Sequence, residues 1–81
     1  MSADIGNIYA VAQGSFLGEF FVLMEKTKNE LTFMSLPDFF IRKVSLKEYE
    51  NGIANNILDF RESLPRDIFN ECKQKYNQIK S

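Results

Sequence analysis

Apolar and polar positions alternate through the first half of the chain, and three-to-four spacing takes over in the second. Residues 5–12 read as a strand, with Ile8, Ala10 and Ala12 on one face and Tyr9 and Val11 on the other. Gln13-Gly14-Ser15 and Gly18 are turn signals. A second strand follows over 19–27, placing Phe20, Val22 and Met24 on one face and Glu19, Phe21, Leu23 and Glu25 on the other. Both faces are apolar, so this strand is expected to be central or strongly curled. Lys28-Asn29-Glu30 makes a polar hairpin break. Leu31 and Phe33 then alternate with Thr32 and Met34 in a third strand over 31–36. Pro37 ends it, because proline fixes its own φ and has no N–H to give to a ladder. Residues 39–44 form a fourth strand, with Phe40 and Val44 facing opposite to Phe39 and Ile41.

The pattern changes at Ser45, which with Glu48 makes a capping box: hydroxyl to the N–H three residues on, carboxylate back to the cap. A short turn over 46–50 with a left-handed stop at Asn51-Gly52 is the expected continuation. Residues 53–62 stay open between two states. Ile53, Ile57, Phe60 and Leu64 have helical spacing, yet Asn55-Asn56 disfavours helix and 57–60 could close the sheet as a short strand. The final segment is plainer. Pro65 fits a first helical turn, Ile68, Phe69, Cys72, Tyr76 and Ile79 form one stripe, and acids precede bases along it, as the helix dipole favours. The spacing predicts a helix over 65–79.

These elements predict an α+β fold: a small, strongly curled antiparallel sheet of about four to five strands, followed by a C-terminal helix covering its open side. The pattern is similar to an SH3-like partial barrel, and an open sheet packed on one or two helices fits it nearly as well. A chain of 81 residues with 44% apolar content is expected to be one domain: a β-hairpin meander (5–44), a short helical or irregular connection (45–64) and the helix (65–79).

Composition excludes much chemistry. The chain has no His, so it cannot build a Ser-His-Asp or Cys-His arrangement or a His-based metal site. One Cys allows no internal disulfide and no Cys-rich zinc site. No phosphate loop or nucleophile elbow is present. Catalytic residues, cofactor and metal are therefore all expected to be none. No apolar run approaches the roughly 20 residues of a membrane helix, and the first basic residue is Lys26, unlike a signal peptide. The expected setting is the cytoplasm. The net charge of −1 counts against tight, non-specific phosphate binding.

Three groups of residues are candidates for function. Phe16 and Leu17, between Gly14 and Gly18, could form an apolar plug at a loop tip. The alternatives are that Phe16 is core, or that the loop folds back over the barrel mouth. Phe39 and Phe40 beside Arg42 and Lys43 could stack bases and bind phosphate, or serve a peptide or protein surface. The plainer reading buries one ring on each face. Lys73, Lys75 and Lys80, with Arg66, make a basic helix end that dipole complement and solubility also explain. Glu19 interrupts an apolar run and needs a partner such as Arg42 or Lys43 if it faces inward. Cys72, on the apolar stripe, reads as a small hydrophobe.

The leading expectation is a small non-enzymatic binding module: a protein-interaction or inhibitor-type accessory protein, a class common in phages and mobile elements, with a partner protein not identified by the sequence. The alternative is a small β-barrel binding single-stranded RNA or DNA. The third is a homo-oligomer whose sheet edge pairs with a second copy.

Overall fold

The computed structural model describes residues 3–80. Over them the chain forms β1 (Asn7–Val11), β2 (Phe20–Lys26), β3 (Glu30–Leu36), β4 (Ile41–Ser45), α1 (Leu46–Ala54), β5 (Leu58–Ser63) and α2 (Arg66–Lys80). The five strands make one antiparallel sheet in the order β4-β3-β2-β1-β5. The first four follow one another as a meander. β5 then crosses back, through α1, to the free side of β1. The sheet is not closed, and β4 and β5 are its edges.

Alternation fills both faces. On one, Tyr9, Val11, Phe21, Leu23, Leu31 and Phe33 form a core closed by Tyr49 of α1. On the other, Val22, Met24 and Met34 pack under Tyr76 of α2, with Phe69 and Cys72 beside them. The sheet therefore lies between its two helices. α2 bears on it through few side chains: Ile68 and Ile79, expected on the buried stripe, are 45% and 39% exposed. The stripe follows the helix, but its ends overhang the sheet.

Three expectations need correcting, and one open alternative is resolved. First, α1 does not stop at Asn51-Gly52; it runs to Ala54, and Asn56, at φ 58°, is the left-handed residue beyond it. Gly52 is buried inside the helix because Leu58 crosses there: a Cβ would stand 3.3 Å from Leu58 Cδ1. Second, residues 58–63 are strand, extending the closing strand weighed at 57–60 and excluding helix, because the open edge of β1 supplies partners from Asn7 to Val11. Third, the fourth strand begins at Ile41, not at 39. Phe39 has φ 62°, and the turn is closed by hydrogen bonds between Ser35 and Phe40: Ser35 N–H donates to the Phe40 carbonyl (2.9 Å) and Phe40 N–H to Ser35 Oγ (3.1 Å). Fourth, a bulge in β2 between Leu23 and Glu25 sets two residues against one on β3 and moves Glu25 to the α2 side. The capping box forms as expected: Glu48 N–H donates to Ser45 Oγ at 3.1 Å and Ser45 N–H to Glu48 Oε1 at 3.2 Å.

The displaced Glu25 becomes the polar anchor of α2. Tyr76 donates its hydroxyl hydrogen bond to Glu25 Oε2, and Lys80 Nζ lies 3.4 Å from the same oxygen. The Tyr76 hydrogen bond and the Lys80 charge hold the Glu25 carboxyl below the usual range. Burial, then the hydrogen bond to Glu25 and its negative charge, pushes the Tyr76 phenol up to about 12. Above about pH 10 the unfolded chain loses this proton while the folded one keeps it. The unfolded state then binds fewer protons, so stability falls with pH. Urea unfolding across pH 10 to 12 should show that fall, with a shallower slope in Tyr76→Phe. Identical slopes would mean that the phenol is not shielded.

Candidate functional site

The antiparallel register gathers two loops and the start of β5 at one end of the sheet. Ala10, Phe20 and Leu36 are neighbours across β1, β2 and β3, and Val11 pairs with Leu58. The β1–β2 loop (12–19) and the β3–β4 loop (37–40) emerge there together. This end exposes Leu17, Phe20, Phe40 and Ile57.

The β1–β2 loop is firmly tied. Leu17 N–H donates to the Gly14 carbonyl (3.2 Å), Gly18 N–H to Val11 (3.2 Å), and Glu19 N–H to Phe16 (3.0 Å). Gly14 and Gly18 have φ of 94° and 91° with open space around them, so they are needed for backbone conformation rather than for close packing. Gln13 Nε2 donates to the Asn55 and Asn56 carbonyls at 3.3 Å each, fastening the loop to the end of α1.

The loop treats its two apolar residues differently. Phe16 folds back over the sheet, its ring centroid 6.1 Å from Phe21 and 6.0 Å from Phe40, with the Arg42 guanidinium 4.8 Å above it. Leu17 stays at the tip, 66% exposed. Of the two residues proposed for a plug, the structure leaves Leu17 in solvent and gives Phe16 to the mouth of the sheet.

Between this loop and α1 lies a cavity of about 410 Å³, open along one side. Phe21, Phe33 and Tyr49 line its apolar part, Phe16 and Arg42 stand on the β4 side, and Glu48 and Asn51 on the helix side. Arg42 and Glu48 are its charged lining residues. Glu48 is engaged in the helix cap. No carboxylate lies within ion-pair distance of Arg42 among the described residues.

From the groove a polar chain that sequence reasoning did not single out runs through the core to exposed Ser63 on β5. Tyr9 and Tyr49 share a hydrogen bond between their hydroxyls (3.0 Å), Asn7 Nδ2 donates to Tyr9 Oη (3.3 Å), and Ser63 Oγ donates to Asn7 Oδ1 (2.8 Å). Burial and the Tyr9 hydroxyl push the Tyr49 phenol well up. The strand pattern placed Tyr9 on the inner face, but nothing local pairs it with a tyrosine 40 residues away.

The remaining candidates separate. Arg42 stands over Phe16 on the groove side, whereas Lys43 faces the α2 side near Glu25. Phe39 packs on the α2 side with Lys75 Nζ 5.2 Å above its ring, while Phe40 packs on Phe16. The structure thus divides this group of aromatic and basic residues between two faces. Lys73 is exposed, and Lys80 is engaged by Glu25. Glu19 is half-buried; its Oε1 is buried without a hydrogen-bond partner among the described residues, so neither Arg42 nor Lys43 serves it. Cys72 is half-buried against the sheet, and burial followed by the Glu71 charge raises its thiol pKa. Among the described residues no cluster of His, Cys, Asp and Glu could hold a metal ion, and no helix is long and apolar enough to cross a membrane. No protein-family model, curated protein or solved structure matches the chain.

Proposed function

We propose that this protein is a non-enzymatic protein-interaction module that binds its partner with the loop end of the sheet. The observation that carries this reading is Leu17: a large apolar side chain, 66% exposed, on a loop whose backbone is held in place. A pre-ordered apolar anchor loses little conformational freedom on binding, and such anchors concentrate binding energy. Ile57, which lines the groove, and Phe40, which packs beside Phe16, add exposed apolar surface. In this reading the fold is an SH3-like partial barrel, supported by the meander, the helix between β4 and β5, and the return of β5 to β1. The role is that of an inhibitor-type accessory protein acting in the cytoplasm.

The test is affinity capture from lysate of the native organism, with nuclease treatment, using wild type and Leu17→Asp. Phe16 packs on Phe21 and Phe40, so its truncation would confound binding with stability; Leu17 alone is the clean site. A specific protein should be retained after nuclease by wild type and lost by Leu17→Asp, with thermal stability within about 0.5 kcal/mol of wild type. Capture unaffected by Leu17→Asp would overturn the reading. Recovery that vanishes with nuclease would favour the nucleic-acid alternative, for which Lys43, Lys75 and Phe39 on the α2 side are the supporting residues.

A further inference from the structure

The groove beside Leu17 specifies more about the partner than that it is apolar. We infer that it receives an apolar side chain of a partner protein with a carboxylate next to it, the carboxylate pairing with Arg42. This rests on the interaction-module reading and adds the partner's chemistry to it.

The surroundings of the groove, rather than its size, favour a partner's side chain over a free small molecule. About 410 Å³ lies within the range for ligand pockets, about 300–1,000 Å³, so volume alone admits either occupant. The groove is open along one side, and the exposed Leu17, Phe40 and Ile57 stand at the same end of the sheet. A small ligand in the groove would meet Ile57 but leave Leu17 and Phe40 in water. A partner surface that inserts one side chain covers both.

Charge supplies the second half. Glu48 occupies the first turn of α1, where the Ser45 N–H and the positive end of the helix dipole already answer its charge. Arg42 has no such answer. Its guanidinium lies 4.8 Å over the Phe16 ring and pairs with no carboxylate among the described residues, which leaves N–H donors for a partner. Within the groove, Arg42 is the charge without an opposite partner among the described residues. Carboxylate and phosphate are the groups that the planar fork of arginine binds with two parallel hydrogen bonds, and of the two the carboxylate is the one an unmodified protein side chain supplies. An apolar residue adjacent to an acidic one therefore satisfies both the floor and the rim.

The experiment is selection of a phage-displayed random short-peptide library on the full-length protein, followed by titration of the recovered peptides. Peptides pairing an apolar residue with Asp or Glu should be enriched. Replacing that acid by its amide should weaken binding about ten- to a hundredfold, the range for a hydrogen bond to a charged group. Arg42→Gln should bind the acidic peptide and its amide equally. Arg42→Glu should reverse the preference toward Lys or Arg. Amide shifts in the nuclear magnetic resonance spectrum should localise to Phe16, Tyr49 and Asn51. Arg42 is exposed, so these variants are expected to fold, and the same spectra check it. Peptides that occupy the groove without preferring acids, or whose affinity ignores Arg42, would overturn the partner chemistry and leave the module standing. So would an empty groove combined with capture that still depends on Leu17. Capture indifferent to Leu17→Asp would instead remove the module reading itself.

Discussion

Phe33→Ala should destabilise the protein by about 3–5 kcal/mol, the range for truncating a buried aromatic side chain. At about 0.05–0.15 kcal/mol per residue a domain of this length has a total stability of about 4–12 kcal/mol, so the variant should lose a quarter or more of it. The argument is geometric. Phe33 is 2% exposed at the centre of β3. Its ring lies 5.8 Å from Tyr9, 6.0 Å from Phe21 and 6.4 Å from Tyr49, so one side chain joins three strands and α1. No neighbour can move into the space without breaking another of these pairs. Phe40→Ala is the matched control. Phe40 is 38% exposed and packs on a single half-buried ring, so its truncation should cost less than about 1 kcal/mol. Urea unfolding followed by circular dichroism measures both, and equal losses would mean that the inner face is not organised around Phe33.

The second large effect is expected at the tyrosine pair. Tyr9→Phe removes the hydroxyl that meets both Tyr49 Oη and Asn7 Nδ2, leaving two polar groups in the core short of a partner. That should cost about 1–3 kcal/mol, although the lost atom is small. Tyr49→Phe should also destabilise. The double variant should cost less than the two single losses together, because each substitution removes an orphan that the other creates. A coupling of about 0.5–3 kcal/mol is the expected result of the cycle. Strict additivity would show that water, rather than the partner hydroxyl, satisfies each group. The network matters for the site because Tyr49 lies at the groove and Tyr9 ties it to β1. Through Asn7 and Ser63 the same chain reaches β5. Loss of either hydroxyl is therefore expected to loosen the helix-side wall.

These two effects explain how so small a chain can display apolar residues at one end. The inner face is joined by aromatic edge contacts and a shared hydrogen bond, and the outer face by Tyr76 and its carboxylate. Leu17 is then free of structural duty. A single exposed apolar side chain is ordinary; the proposed binding role rests on Leu17 standing at the same end of the sheet as the exposed Phe20, Phe40 and Ile57.

Much of this was determined by the chain's own pattern. Period-two alternation assigned the faces of β1, β2 and β3, and Tyr9, Phe21, Leu23 and Phe33 do point into one core while Val22, Met24 and Met34 point into the other. The same alternation already separates Arg42 from Lys43, a consequence that adjacency in sequence obscured. The Ser45–Glu48 capping box and the Pro65 helix start are local hydrogen-bond and dihedral effects, and both stand where the residues put them. What needed the tertiary structure involves residues far apart in the chain. The strand 58–63 exists because β1 offers a free edge, against which the helical spacing of Ile57, Phe60 and Leu64 has no weight. Gly52 reads as a helix stop until Leu58 is seen against it. Glu25 changes face through one bulged residue, and Phe16 turns inward because Phe21, Phe40 and Arg42 meet there. Local spacing encodes which way a side chain points along its own element. Which distant group it meets depends on strand pairing and on the space left between layers, and those are settled only when the whole sheet has formed.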